Sequence, residues 1–304
     1  MTALASIIET IRSALSGLIH VILNPLDVWN FADGEAVMRI IFYGASAELF
    51  AIFAMVSGGI FIAGLADREF LWRVVVALEG FANGVGRVAA WAGLLLVLQQ
   101  IMVIFLQGIF RVSDIGLGPA GLGFERPLGW WSDSLKLHNA LVVVLCCAYT
   151  FVQGGHVRVD LFYAGARYRT KRAIDMVGAL VFMIPALLVI WHYAWFFMWR
   201  HLVNPKVNAT DTLEAMLRKA RGFRWQPETI GFSPNGFDAY FVFKVLIVVF
   251  ALMMLVQALA VFYRAYLEFT GGEGEAGRGL DRDRIEPGEV EMAGPQDLAH
   301  GGRR

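Results

Sequence analysis

The sequence predicts an all-α, polytopic membrane helix bundle, with about five transmembrane helices plus interfacial amphipathic helices. Two observations carry this. The 304-residue chain is 57% hydrophobic and 17% charged, with a mean hydropathy of +0.57, where a soluble domain carries about 25% charge. Its apolar residues are also gathered into long runs. The clearest, residues 137–155, holds no formally charged residue. At about 1.5 Å per helical residue it just crosses a hydrocarbon core of roughly 30 Å.

Residues 1–35 are expected to lie at the membrane surface. Ile7, Ile8, Ile11, Leu15, Leu18 and Ile19 fall at helical spacing, with Glu9, Arg12 and Ser13 between them, which makes an amphipathic face. The start lacks the basic residues and unbroken apolar segment of a secretory signal. Residues 40–65 form the first spanning candidate, carrying Glu48 as its one charge, and an acid inside a span suggests a function. Residues 66–87 read as a charged connector, so 36–84 form a first helix with its connector. Residues 88–110 are the second span, where Gln99, Gln100 and Gln107 suit helix–helix contacts.

Residues 111–133 are rich in Gly and Pro and end in Trp130 and Trp131, an interfacial aromatic pair followed by Asp133. The third span, 137–155, ends at Gly154-Gly155, where glycine accepts a left-handed cap. A basic loop at 156–172 follows: Arg158, Arg167, Arg169, Lys171 and Arg172 against Asp160, with His156 at its start. Residues 176–199 are the fourth span, with a kink expected at Pro185. In the long loop after it, Asp211 to Glu214 resembles a capping box, opening a short surface helix with Leu213, Met216, Leu217 and Ala220 on one face. Asn208-Ala-Thr210 matches a glycosylation sequon. Residues 239–263 are the fifth span, with Lys244 near its start, placed to snorkel. The tail, 269–304, is glycine, charge and proline, and is expected to be disordered.

Net charge is zero, which gives no reason to invoke nucleic acid. Cys146 and Cys147 are adjacent within an apolar run and no C-x-x-C pair exists, so neither a disulfide framework nor a zinc site follows. No Gly-rich phosphate loop and no Ser/His/Asp set emerges, and the chain reads as a non-enzyme. Five spans put the termini on opposite sides. The basic loop at 156–172 places the C-terminus in the cytoplasm and the N-terminus outside. The six basic residues of the 200–238 loop, outside in this arrangement, run against that rule.

One motif carries a family resemblance. G-G-H-V-R-V-D-L-F-Y at 154–163, the basic loop after it and Asp175 early in the next span resemble the small membrane subunit (DctQ-like, Q-type) of tripartite ATP-independent periplasmic (TRAP) transporters. W-S-D-S-L at 131–135 resembles that family's W-x-[DE]-E-L. Ser134 stands where a second acid is usual and Leu137 where an Arg is usual. S-P-N-G at 233–236 with Lys244 resembles the approach to the last span in longer members. The resemblance covers about residues 85–268, a four-helix membrane domain, and leaves the first span outside it.

The resemblance implies a non-catalytic scaffold in the bacterial inner membrane. It implies two partners besides lipid: a large permease subunit, which binds the sodium ions and solute, and a periplasmic solute-binding protein that delivers an organic acid or related solute. No cofactor is implied for this chain. His156, Arg158 and Asp160 are candidate partner contacts or loop anchors. Trp130, Trp131 and Asp133 are candidates for an outer docking surface or a plain aromatic anchor. An alternative class is a five-span haem b subunit of an oxidoreductase, with His138 and His192 at similar depth as ligands. A third is an independent channel or carrier, but no inverted repeat or pair of broken helices is seen.

Overall fold

The computed structural model describes residues 30–117, 124–154, 165–229 and 236–283, together with residues 9, 10, 12, 13 and 16. The described residues are mainly helical, with two short antiparallel strand pairs. Among the described residues, five helices are long and apolar enough to cross a membrane.

The expected first span is two helices. Helix α1, Gly34–Tyr43, starts where the Asp33 carboxylate accepts from the Glu35 and Ala36 N–H groups at 3.1 and 3.4 Å. It buries Val37, Met38 and Ile41 and stops at Gly44. Helix α2, Ala47–Ala66, restarts with Ser46 as its cap. Glu48 therefore occupies the first turn of α2 and accepts a hydrogen bond from Ser13 Oγ at 3.2 Å. A carboxylate at a helix start also faces the positive end of the dipole, so its place near a span end needs no functional explanation.

The expected charged connector is helical. Asp67 is its only non-helical residue, and its Oδ1 accepts from the Glu69 and Phe70 N–H groups at 2.9 and 3.2 Å. Helix α3, Arg68–Gly108, then runs unbroken for 41 residues. At 1.5 Å per residue that is about 60 Å, twice a hydrocarbon core. Charges that looked like a loop thus lie on one continuous rod. A hairpin of β1, Asp114–Leu117, and β2, Phe124–Pro127, follows.

Helix α4, Leu128–Gln153, packs along the second half of α3. The helices approach closely at Gly86, where the Tyr149 ring fills the space a Cβ would need. Gln99 Nε2 donates to Trp131 O at 2.8 Å and to Ser134 Oγ at 2.5 Å, so this amide does join two helices. Gln100 and Gln107 are exposed. Gly154 ends α4 with φ 78, the left-handed cap expected from the sequence.

The fourth span begins earlier than its apolar run. Helix α5, Tyr168–Val177, leads through a π turn, Gly178–Met183, into helix α6, Ile184–Arg200. Pro185 lacks the N–H that a regular ladder needs, and the wider turn sits directly before it. Beyond α6 come β3, Val203–Asn204, helix α7, Leu213–Ala220, and β4, Arg224–Trp225. The cap of α7 is Thr212, whose Oγ accepts from the Ala215 N–H at 3.3 Å. Asp211, expected to open the cap, instead accepts from Asn208 N and pairs with Lys219 at 2.6 Å. Met216 and Ala220 are buried on α7 and join a core with Val37 and Ile41 of α1.

Helix α8, Phe241–Gly271, is the centre. Half of its most apolar window is buried, against 6–11% in the other four spans. Around its middle, at Met254 and Ala258, pack Ala82, Ala148, Val152 and Leu187. The tail was expected to be without structure from 269. Instead α8 continues to Gly271, a 3-10 turn follows at Glu273–Glu275, and residues 276–283 fold back along α3. Residues 284–304 lie outside the described residues.

Candidate functional sites at the two ends of the bundle

Polar side chains gather at both ends of the bundle. The first end is built from the starts of α4 and α8 and the end of α6. Trp130, on the first turn of α4, donates its indole N–H to Asp238 Oδ1 at 2.9 Å. Arg126 pairs with the same carboxylate at 3.3 Å, and Phe237 packs against the Trp130 ring at 5.4 Å. The indole N–H, and the Arg126 guanidinium beside it, hold the Asp238 carboxyl below its ordinary range.

Six residues beyond Asp238, Lys244 was expected to reach water. It is 4% exposed and pairs with Glu228, with His201 Nε2 3.6 Å from the same carboxylate. Tyr240 and Phe197 cover its ammonium with ring centroids at 4.6 and 5.4 Å. A buried ammonium is tolerated where it is paired and covered by aromatic faces. The Lys244 ammonium pulls the Glu228 carboxyl below its ordinary value. Residues 237–244 thus join Trp130 of α4 to the end of α6 in one polar-aromatic surface. Asp133 stands one turn below, tied to Lys136 at 2.8 Å. Trp131 stacks edge-on against Trp130.

The opposite end holds a buried charge chain. Arg264 of α8 donates from Nε to Glu79 Oε1 at 2.6 Å and from Nη2 to Oε2 at 2.5 Å. It also meets Glu268 at 3.4 Å, whose other oxygen pairs with Arg172 Nε at 2.7 Å. Arg172 then reaches Asp175 at 3.0 Å, and Tyr168 donates to Glu268 at 3.1 Å. Glu79 and Glu268 are 4% and 1% exposed. Signs alternate along this chain, which fastens α3, α8 and α5 to one another.

Beside it the tail is clamped to the bundle. Arg87 pairs with Asp281 at 2.9 Å and Asp283 at 2.7 Å. Asn83 donates to Asp281 O at 2.7 Å, Asp283 N donates to Gln153 Oε1 at 2.9 Å, and Tyr149 donates to Asp283. These partners lower both tail carboxyls: Arg87 is the main cause at Asp281, and Tyr149 followed by Arg87 at Asp283.

The structure brings Trp130, Trp131, Asp133 and Lys244 to the same end. His156, Arg158 and Asp160 lie outside the described residues. The sequence reading missed Asp238 and Glu228, which no local pattern marks, and it missed Glu79, Arg264 and Glu268. The last two stand at i and i+4, a spacing that puts them on one helix face, but beyond the expected end of the fifth span. Of the two histidines weighed as haem ligands, His192 places Nδ1 3.0 Å from Ala45 O. His138 Nδ1 is buried and meets no hydrogen-bond partner among the described residues. The helices that carry them, α4 and α6, each pack on α8. Among the described residues, no group of three His, Cys, Asp or Glu side chains could hold a metal. Comparison with known proteins finds no matching family model, no matching curated sequence and no matching solved structure.

Proposed function

We propose that this chain is the small, non-catalytic membrane subunit of a sodium-coupled, binding-protein-dependent importer of the TRAP type, which scaffolds a large permease subunit. The observation that carries the reading is where the charges sit. At both ends they close on each other in pairs, and the layer between is built of Ala, Val, Leu and Met. A solute or ion path needs broken helices and polar backbone near the midplane. A scaffold needs fixed ends, an apolar middle and a broad apolar outer face. The second half of α3 supplies that face, with Val88 and Trp91 72% and 68% exposed. Substrate and sodium sites belong to the partner in this reading.

The end with Trp130, Asp238 and Lys244 faces the periplasm and helps dock the binding protein. The end with Arg167, Arg169 and Lys171 faces the cytoplasm, as the positive-inside rule favours. Part of the contrary basic charge outside is already engaged. Lys219 is tied to Asp211 and Lys206 O, and Arg200 donates to Asn208.

Purification of the tagged chain from its own membranes tests the reading. The expected result is a larger hydrophobic partner at one-to-one stoichiometry, and liposomes that take up solute only when both subunits and the binding protein are present. Recovery of self-associated chain alone, or solute flux through this chain alone, overturns it. Replacing Arg158 and Asp160 is expected to lower uptake or assembly while the binding protein keeps its substrate affinity.

A further inference from the structure

His201 caps the C-terminal end of α6 and folds back on it, with Nδ1 2.7 Å from Phe197 O. A carbonyl oxygen only accepts, so at that distance Nδ1 carries a proton whatever the charge on the ring. The neutral imidazole is thereby fixed as the tautomer whose Nε2 is a bare lone pair. That nitrogen lies 3.6 Å from Glu228 Oε2, an acceptor facing an acceptor and too far for a hydrogen bond. The Phe197 ring packs edge-on against the imidazole with centroids 4.7 Å apart.

The carboxylate it faces belongs to a strut. Glu228 N donates to His201 O at 2.9 Å, Gln226 N to Leu202 O at 2.9 Å, and Phe241 N to Glu228 O at 3.2 Å. Residues 226–228 thus tie the end of α6 to the start of α8. Other charges act on the same carboxylate: Lys244 pairs with it, and Lys206 acts on it at longer range. Arg200, next to His201, is turned to Asn208 Oδ1 at 3.3 Å. The two lysines oppose a charge on the imidazole. Glu228 favours it, and so does the negative end of the α6 dipole. A carboxylate has lone pairs for both an ammonium and an imidazolium.

We propose that His201 is a pH-operated clasp on this strut: protonation puts a hydrogen on Nε2, and the imidazolium donates to Glu228 while Nδ1 keeps Phe197 O. The gap of 3.6 Å must close by under about 1 Å to reach an ordinary hydrogen-bond length. The clasp is shut while the ring is charged, and it opens as pH rises through the histidine range of about 5–8. The Glu228 and Asp238 carboxyls are held below their ordinary values, so neither titrates in that window. Because the strut ends on the first turn of α8, the clasp sets how firmly Tyr240 and Lys244 are held at this end. It does not depend on the importer reading, which only supplies the compartment whose pH it follows, the periplasm.

Amide exchange of the full-length protein in lipid nanodiscs tests this. Corrected for intrinsic rates, Gln226 and Glu228 are expected to exchange about two- to fivefold more slowly at about pH 5.5 than at about pH 8. H201N and E228Q are each expected to remove that step. The H201N amide nitrogen takes the place of Nδ1 toward Phe197 O but does not titrate. K244M is expected to keep or enlarge the step, because Glu228 then faces one cation fewer. NMR of isotope-labelled histidine at about pH 8 is expected to show His201 with its proton on Nδ1. A wild-type protein without the step overturns the proposal. So does a step that survives H201N or E228Q, a step that K244M abolishes, or a bare Nδ1 at high pH.

Discussion

Glu79 and Arg264 face each other across the α3–α8 interface with both carboxylate oxygens matched to guanidinium nitrogens, at 2.6 and 2.5 Å, and both side chains at least 88% buried. Removing one partner strands the other charge away from water. E79L or R264M alone is expected to cost about 3–5 kcal/mol of unfolding stability, while the double replacement E79L/R264M costs much less than their sum. Denaturant unfolding in detergent, followed by circular dichroism, reads the difference. Additive losses would refute the pairing.

The pair at the other end is lopsided. The Lys244 side chain is 5% exposed and that of Glu228 is 40% exposed. A stranded Glu228 can rehydrate, and a stranded Lys244 cannot. E228Q is therefore expected to cost about 1.5–3 kcal/mol, and K244M clearly less. The same unfolding assay ranks the two.

The clamp on the tail depends on pH with a fixed sign. Asp281 and Asp283 have folded-state values held below the ordinary carboxylate range. Their contribution is complete above the unfolded value, about 3.9. It is lost as pH falls through the depressed folded values. Amide exchange over residues 276–283 is expected to be slow at pH 7 and, corrected for intrinsic rates, to lose its protection below about pH 4. These pairs are largely solvent-exposed, so 1 M salt is expected to weaken the clamp at neutral pH as well.

Gly86 sets how closely α3 and α4 approach, because the Tyr149 ring occupies its Cβ position. G86L is expected to cost about 1–3 kcal/mol by forcing the helices apart. G84L, with nothing within 4 Å at that position, is expected to be near neutral. Melting temperatures of the two variants check this.

The span count and the left-handed end of α4 were legible in the sequence because hydropathy and glycine act locally. The helical state of the 66–87 stretch was not. Its charges resemble a loop, and only the tertiary partners of Glu79, Asn83 and Arg87 explain why they sit on a helix. The split at Gly44 was hidden by unbroken hydropathy. It is visible only in the bonds that bring Trp191 and Trp195 to Gly44 O and Ile41 O at 2.8 and 2.9 Å. The candidate surface was half legible. Trp130 and Lys244 stood out by type and position, whereas Asp238 and Glu228 matter only because the fold delivers them to those two residues. The folded-back tail was missed because its composition is that of disorder, while its stability comes from groups on α3 and α4 about 130 to 200 residues earlier.

The wide turn at Gly178–Met183 has a further consequence. It accommodates one residue more than a regular α-helix would, and one residue is about 100° of rotation. Arg172 lies before it and must meet Glu268; Trp195 lies after it and must meet Ile41 O. The surplus residue is what keeps both appointments in phase. A one-residue deletion within 178–183 is then expected to break one set of contacts or the other, while an apolar swap such as L180I leaves both. In this segment the chain is constrained in its length more tightly than in its lettering.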